Sequence, residues 1–216
     1  MDERDEVLLR LCKGRRVLHV GCADHPLTVD RLRDGSILHA QLMKNAAEVL
    51  GVDVDHEGIE LLRTHLGGQY LVQDFADGNG SAAVAQFKPD VILAGDVIEH
   101  VRDAASFLRG ISALMRELGE GVDLILSTPN GLGAKTLLNT LKGVEMIHPD
   151  HVYVFTPASL ARLVSDCGLA PHSWFFYHVN SGASVRARVL RAICHAAARL
   201  RPAFAAGQVL VCRATA

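Results

Sequence analysis

Small and acidic residues stand at the ends of three successive apolar segments that have the length of β-strands. Gly21 follows the first segment, Asp53 closes the second, and Asp74 and Phe75 follow the third. In open parallel sheets the carboxyl ends of the strands meet at one edge, where ligands bind. An Asp at the end of the second strand can accept both ribose hydroxyls, and an Asp beside an aromatic ring can hold an adenine. The pattern therefore predicts a nucleoside-binding edge.

A nicotinamide dinucleotide is the first alternative ligand for such an edge. Dinucleotide sites cradle the pyrophosphate with a G-x-G-x-x-G turn at a helix N-terminus. Residues 21–26 read G-C-A-D-H-P, with one glycine and one carboxylate. This loop is poorly suited to a pyrophosphate, so the sequence disfavours a nicotinamide oxidoreductase.

Three histidines are candidates for proton transfer. His148 and His151 form an H-P-D-H turn after the predicted fifth strand, and His100 begins the helix after the fourth. Histidine is the usual general base near neutral pH. We predict that His148 or His151 acts as a base or as an acceptor ligand. For His100, a structural role at a helix start is the competing interpretation.

A metal site is the rival interpretation of the same region. Asp96, Glu99 and Asp150 lie close in sequence to these histidines, and mixed oxygen and nitrogen ligands suit Mg²⁺ or Mn²⁺. The spacing matches no compact ligand motif, so the sequence offers this site only as an alternative.

Alternating periodicity predicts the elements that position these residues. The expected strands cover 15–20, 49–53, 70–72, 90–94, 122–127, 172–177 and 209–213. The expected helices cover 2–13, 36–47, 56–65, 104–118, 157–166 and 184–200. Repeated β-α-β units predict one α/β domain over residues 1–216: a Rossmann-like, doubly wound, mostly parallel sheet with a terminal antiparallel strand pair.

Two segments fall outside this repeat. Within residues 131–151, the segment 131–147 has glycine at both ends and an apolar middle. This pattern favours either a lid over the acceptor or a helix packed on the sheet edge. Residues 184–200 read as an added helix with arginines around an apolar side. We expect this helix to form a homodimer contact or one wall of the acceptor pocket.

The charge is small overall but unevenly distributed. The net charge is -2, which gives no reason to expect a nucleic acid partner. Residues 167–216 contain six arginines and no acidic residue. Such a stretch suits an anionic substrate, a membrane surface or an acidic partner, although a solvated arginine face explains it equally well.

The cysteines and the hydropathy pattern favour a cytoplasmic protein. The five cysteines are scattered and include no C-x-x-C pair, which argues against a disulfide framework and a zinc site. The charged N-terminal stretch does not resemble a signal peptide. No apolar run approaches the length that spans a bilayer, so we expect no stable membrane insertion.

The strand-end motifs resemble those of class I S-adenosylmethionine (SAM)-dependent methyltransferases. VLHVGCADH at 17–25, VLGVDVD at 49–55 and QDFAD at 73–77 resemble the first three motifs of that family. PDVILAGDVIEHV at 89–101 is similar to the fourth-strand motif of the branch that includes ubiquinone-biosynthesis enzymes. LILSTPN at 124–130 and the segment 151–169 match the same branch.

The resemblance implies which residues contact the cofactor SAM. The methionine part would lie on Val20, Gly21 and Cys22, the ribose on Asp53, the adenine on Val54, Asp74 and Phe75, and the sulfonium over Gly95, Asp96 and Val97.

The chain also departs from the family pattern. His19 stands where an acidic residue is usual, and Ala23 and His25 replace glycines. An insertion between Gly21 and Asp53 is expected to add a helix over the pocket. Asp24, Gln41 or Lys44 are candidates for the lost contacts.

The resemblance implies transfer of a methyl group to a hydroxyl of a small polar acceptor. A sugar or oligosaccharide is the sharpest expectation, as in enzymes that build methylated mannose polysaccharides. One alternative is a methyltransferase-fold subunit that binds without catalysis, which the altered glycine motif favours. The other is a nucleic-acid methyltransferase, which the sequence GDVI disfavours because base-amine enzymes have an N/D-P-P-aromatic motif there.

Overall fold

The computed structural model describes residues 3–76, 82–145, 147–179 and 185–215. The predicted starts of the first helix at Asp2 and of the added helix at Ser184 lie outside these ranges. So does Met146 in the predicted acceptor loop.

Seven strands form one sheet in the order β3-β2-β1-β4-β5-β7-β6. Their bounds are β1 Arg16–Val20, β2 Glu48–Asp53, β3 Gln69–Val72, β4 Val91–Gly95, β5 Asp123–Pro129, β6 Leu169–Tyr177 and β7 Gly207–Ala214. β7 is antiparallel to both of its neighbours, whereas β1 to β5 pair in parallel. The predicted Rossmann-like sheet with a terminal antiparallel pair is confirmed.

Nine helices are present in the described part of the chain. Their bounds are α1 Arg4–Cys12, α2 Thr28–Asp34, α3 Leu38–Asn45, α4 His56–Leu66, α5 Ala82–Phe87, α6 Ala104–Leu118, α7 Ala134–Leu141, α8 Pro157–Asp166 and α9 Val185–Leu200. A short 3₁₀ helix at Pro202–Phe204 follows α9. The insertion after Gly21 forms two helices, α2 and α3, whereas one had been expected.

Alternating side chains of the central strands build a core on each face of the sheet. Ile92 of β4 packs in the cluster that contains the apolar face of α6. Val91 and Leu93 point the other way and pack with α1 and α3. A strand buried on both faces has an unbroken apolar run, which is why this strand was visible in the sequence.

Side-chain caps fix the starts of two helices that flank the site. The Thr156 hydroxyl accepts a hydrogen bond from the Ser159 N–H at 3.2 Å, with Pro157 in the first turn of α8. This confirms the predicted N-cap of α8. The Asp103 carboxylate likewise accepts from the Ser106 N–H at 2.9 Å and begins α6 directly after the His100 segment.

No helix within the described ranges combines the length and the apolar character that a membrane span requires.

The tight packing of Gly110 in α6 gives a test of the fold. Alanine normally stabilises a helix interior over glycine by about 1 kcal/mol. A Cβ on Gly110 would, however, lie 2.1 Å from the carbonyl oxygen of Phe75. Overpacking of this kind costs about 1–3 kcal/mol, so we expect Gly110→Ala to lower the free energy of unfolding in urea denaturation.

Ala113→Gly is the matched control, because Ala113 lies on the exposed side of the same helix. This variant should lose about 1 kcal/mol through helix propensity alone. A Gly110→Ala protein that resists urea better than the wild type would contradict the close contact between α6 and Phe75.

Candidate functional site

A cleft of about 560 Å³ opens at the carboxyl ends of β1, β2 and β4. Gly21, Asp53 and Gly95, each at or just beyond the end of one of these strands, contribute to its lining. Cys22, Asp96 and Val97 line it as well. The structure thus brings together most of the residues that the strand-end motifs singled out.

Gly21 is required at the turn after β1 for two reasons. Its φ of 74° lies in the left-handed region that favours glycine. A Cβ there would also lie 2.3 Å from Cγ2 of Val97. The Gly21 N–H donates to the Val52 carbonyl at 2.8 Å, which holds the turn against β2. A larger residue would therefore clash with Val97 unless the turn moved.

Asp53 connects the turn after β1 with the end of β2. One carboxylate oxygen accepts from the Ala23 N–H at 2.8 Å, and the other accepts from the Asp55 N–H at 3.0 Å. Each oxygen keeps a second lone pair. The carboxylate is therefore oriented by the backbone and retains the acceptor capacity that two ribose hydroxyls need.

The three residues predicted to hold an adenine do not line the cleft as the structure shows it. Val54 and Asp74 are exposed, and the Asp74 carboxylate accepts from the Ala76 N–H at 2.8 Å. Phe75 is only 3% exposed and packs in the core cluster with α6. The structure supports a packing role for Phe75, and the adenine contacts stay predictions.

Asp96 lies at the floor of the cleft in a network of three partners. Its carboxylate accepts from the Arg4 guanidinium, from the Ser127 hydroxyl at 2.7 Å and from the Tyr177 hydroxyl at 3.3 Å. Burial opposes the positive charge of Arg4, but the neighbouring carboxylates outweigh it and raise the pKa of Arg4. Burial and the Asp96 charge raise the pKa of Tyr177 well above its ordinary value. Arg4 therefore stays charged and Tyr177 stays a neutral donor.

Two stacked histidines stand where the family pattern has an acidic residue. His19 of β1 and His39 of α3 lie with parallel rings, and their Nδ1 atoms are 3.1 Å apart. Burial lowers the pKa of His39 to about 4. Burial, the His39 ring and the Arg4 charge lower the pKa of His19. Both rings are neutral near pH 7, so this end of the cleft lacks the negative charge of the usual motif.

Asp24 supplies a carboxylate close to this end. It forms an ion pair with Arg31 of α2, and both residues line the cleft. Its φ of 61° lies in the left-handed region. Gln41, another candidate for the lost contacts, instead donates to the Ser36 carbonyl at 3.1 Å. Of the three candidates, only Asp24 lines the cleft.

The H-P-D-H turn is held against the segment after β4 by backbone hydrogen bonds. The Val152 N–H donates to the Glu99 carbonyl at 2.8 Å, and the His151 N–H donates to the His148 carbonyl at 3.0 Å. Nδ1 of His100 lies 3.2 Å from the Asp150 carbonyl oxygen. These bonds bring two segments about fifty residues apart in sequence to the mouth of the cleft.

The three predicted histidines form one cluster there. The ring centroids of His100 and His151 are 4.6 Å apart, and those of His148 and His151 are 5.1 Å apart. Burial and the two neighbouring rings lower the pKa of His151. His151 is therefore an unprotonated acceptor near pH 7.

Glu99 is a buried carboxylate beside this cluster. It is 1% exposed, and neither oxygen has a hydrogen-bond partner at full bonding geometry within the described residues, although the nearby Thr128 hydroxyl favours the ionised form. Burial and the nearby Asp96 charge raise the pKa of Glu99 to about 8. One ligand atom from each of Glu99, His100 and His151 lies within 4.8 Å of the others. The predicted metal ligands Asp96 and Asp150 are not part of this group.

Comparison with known proteins assigns the chain to a family. A family model described as "Methyltransferase domain" matches residues 1–173. The chain belongs to this methyltransferase family. The sequence-based recognition of a class I methyltransferase is confirmed. Ubiquinone biosynthesis O-methyltransferase of Aeromonas salmonicida (strain A449) is 29% identical over 167 residues, which cover 72% of this chain and 63% of that protein. The chain thus spans less than two thirds of that relative's length.

Solved structures of methyltransferases share the fold. Magnesium protoporphyrin IX methyltransferase from Synechocystis PCC 6803, with bound S-adenosylhomocysteine (SAH), superimposes with a TM-score of 0.58 at 16% identity, covering 98% of this chain and 82% of that one. A methyltransferase from Bacillus halodurans C-125 gives a TM-score of 0.62 at 12% identity, covering 99% of both chains. At these identities the likeness concerns the fold alone.

Sequence reasoning missed several polar residues of this methyltransferase domain. Arg4 reaches Asp96 from α1 across 92 positions in the chain, and Tyr177 reaches it from β6. His39 reaches His19 from α3. No local motif marks these residues, since their roles depend on which elements pack across the cleft. The acidic-to-histidine change at His19 was the one local signal.

The double anchoring of Asp53 leads to a binding prediction. We expect Asp53→Asn to weaken SAH binding about 10- to 100-fold in calorimetric titration. An amide has only one accepting oxygen, and a hydrogen bond to a charged group contributes about 1.5–3 kcal/mol, where 1.4 kcal/mol corresponds to about tenfold.

Asp55→Asn is the matched control, because Asp55 is a neighbouring carboxylate that does not line the cleft. This variant should keep the wild-type affinity within about twofold. Equal affinities of wild type and Asp53→Asn would contradict a ribose site at the end of β2.

Proposed function

We propose that this domain transfers the methyl group of SAM to a hydroxyl of a small acceptor. The observation that carries the proposal is the position of the Glu99, His100, His148 and His151 cluster. It lies at the mouth of the same cleft whose floor is formed by Gly95 and Asp96. An acceptor that reaches this mouth would stand between the cluster and the predicted sulfonium position. The family membership and the strand-end residues support the same assignment.

The chemistry follows from this arrangement. The acceptor oxygen attacks the methyl carbon, the carbon–sulfur bond breaks, and its electron pair returns to sulfur to leave SAH. In-line positioning supplies much of the rate of such a displacement. The rigid turn at Gly21 and the backbone-held Asp53 would fix the cofactor, and the histidine turn would fix the acceptor.

The hydroxyl proton must leave as the oxygen attacks. His148 lies at the exposed rim of the cluster, with its Nδ1 3.7 Å from a carboxylate oxygen of Asp150. The Asp150 backbone N–H donates to Nδ1 of His148 at 3.4 Å and orients the ring. We assign His148 as the base that takes the proton, with the Asp150 carboxylate close enough to stabilise the imidazolium by its charge.

The residues also fit a divalent cation. With its pKa raised to about 8, Glu99 is protonated near pH 7 in the absence of a charged partner. A cation that displaced this proton would meet three converging ligand atoms, from Glu99, His100 and His151. When bound, a divalent cation supplies Lewis-acid polarisation of the acceptor hydroxyl. Two imidazoles and one carboxylate suit a transition metal better than Mg²⁺. Asp96 is committed to Arg4, so we leave it out of this ligand set.

The acceptor class follows from the polar mouth and from the relatives. The curated relative is named an O-methyltransferase, and imidazole side chains at the mouth can take the proton that a hydroxyl loses. An aromatic diol and a saccharide diol both meet this description. The saccharide acceptor, the homodimer and the cytoplasmic location stay predictions.

Methyl transfer from labelled SAM to catechol and to methyl mannoside, with SAH release as a second readout, tests the proposal. We expect turnover with a hydroxyl acceptor, loss of turnover after chelation, and recovery with Mn²⁺. Glu99→Gln should lower kcat/KM about 100-fold or more, in the range seen for removal of acid–base or metal-ligand groups, while the Kd for SAH stays within about twofold.

Glu117→Gln is the matched control, an exposed carboxylate at the end of α6 that should react as the wild type does. Full activity in the presence of chelator would contradict the role of a cation but not the proposed methyl transfer. SAH binding without turnover on any hydroxyl acceptor would reject the enzyme and favour the non-catalytic binding subunit.

A further inference from the structure

Two helices project from the edge of the sheet that carries the cleft. β5 and β6 are both antiparallel to β7, so they run in the same direction and end at the same edge. α7 follows the end of β5, and α9 follows the end of β6. The two helices contact each other. They form one surface beside the cleft, which we call the α7–α9 surface (residues 134–145, 147 and 188–201).

This surface exposes large apolar side chains. Leu141 and Leu200 are each 84% exposed, far more than an aliphatic side chain in a packed position. The further exposed aliphatic side chains are Leu137, Val144, Ile147, Val189 and Ile193. α7 itself contributes no buried residue. Exposed apolar side chains gathered on adjacent elements mark an interaction site.

The exposed residues of α9 follow helical spacing. They are Arg188, Val189, Ala192, Ile193, Ala196, Arg199 and Leu200. The opposite side, which includes Ala198 and His195, packs inward. The exposed side of α9 therefore carries an apolar stripe flanked by cationic side chains. Amphipathic helices at interfaces have this pattern.

The charges on this surface are almost all positive. The described cationic side chains are Lys135, Lys142, Arg188, Arg191, Arg199 and Arg201, and Glu145 is the one acidic residue in the described parts of these segments. None of the six cations has an ion-pair partner among the salt bridges of the described chain. The surface is complementary to a negatively charged partner.

The composition distinguishes between the kinds of partner. A second copy in a two-fold contact would bring the same cations against each other, which is unfavourable. Aliphatic side chains flanked by lysine and arginine suit the headgroup region of an anionic bilayer.

We propose that the α7–α9 surface docks this domain on an anionic membrane surface. The aliphatic side chains enter the headgroup region, and the cations face the lipid phosphates. The docking is peripheral. It places the mouth of the cleft next to the bilayer, because α7 leaves β5 just beyond Pro129 and the chain returns to the cleft at His148. This inference does not depend on the identity of the acceptor or on catalysis.

Vesicle co-sedimentation tests the proposal with the full chain. We expect binding to vesicles of equal parts phosphatidylcholine and phosphatidylglycerol, weak binding to phosphatidylcholine alone, and loss of binding at high salt. Leu141→Asp with Leu200→Asp should weaken binding about tenfold or more, and so should Arg188→Glu with Arg199→Glu.

Two double variants serve as controls, because they introduce the same charges at exposed positions outside the α7–α9 surface. Val29→Asp with Met43→Asp matches the apolar pair, and Arg33→Glu with Arg162→Glu matches the cationic pair. Both should bind vesicles as the wild type does. The SAH affinity of every variant checks that the fold is intact.

Three outcomes would overturn the proposal. The first is a folded wild-type protein that does not bind anionic vesicles at low salt, which would leave the surface to an acidic protein. The second is equal binding by surface and control variants. The third is a dimer in light scattering that the Leu141 and Leu200 changes dissociate, which would assign the surface to a second copy.

Discussion

The carboxylate of Asp53 accepts hydrogen bonds from the N–H groups of Ala23 and Asp55, and the site depends on this pair of bonds. They hold the turn after β1 against the end of β2, while Gly21 lets the turn pass within contact distance of Val97. Three strand ends are thereby fixed relative to one another. The Asp53 carboxylate is therefore already oriented before a ligand binds across these strand ends.

A second constraint fixes the floor and the mouth of the cleft. Arg4 neutralises Asp96 from α1, and the backbone bond from Val152 to Glu99 holds the histidine turn in place. The Glu99 carboxylate is left buried without a hydrogen bond. A protein tolerates such a group when another ligand completes it or when it serves the chemistry. At the floor of the cleft the charge of Asp96 is neutralised by Arg4. Near the mouth the Glu99 carboxyl group has no such partner.

Features that depend on short stretches of sequence could be predicted. Strands such as β4 were visible because burial on both faces requires an unbroken apolar run, and the capped start of α8 was visible in Thr156 and Pro157. The strand-end glycine and carboxylates lay at predictable positions because parallel strands end at one edge. The H-P-D-H turn was expected at the same edge because it follows β5, whereas its contact with His100 appears only in the structure.

The parts that depend on packing between distant elements were not visible. Arg4 meets Asp96 only because α1 packs across the sheet edge, and no local pattern encodes that contact. The sequence suggested that the Phe75 ring covers a ligand. In the structure α6 packs closely at Gly110 against the Phe75 backbone, and the ring lies in the core. The metal ligands were likewise assigned by proximity in sequence, whereas burial and the Arg4 ion pair decide which carboxylate is available.

A crystal structure of the domain with SAH tests the central claim most directly. The account predicts that both ribose hydroxyls lie within hydrogen-bond distance of the Asp53 carboxylate, and that the sulfur faces Gly95 and Asp96 with its open side toward the histidine cluster. SAH bound elsewhere on the protein, or a cleft that stays empty in crystals grown with saturating SAH, would contradict the account.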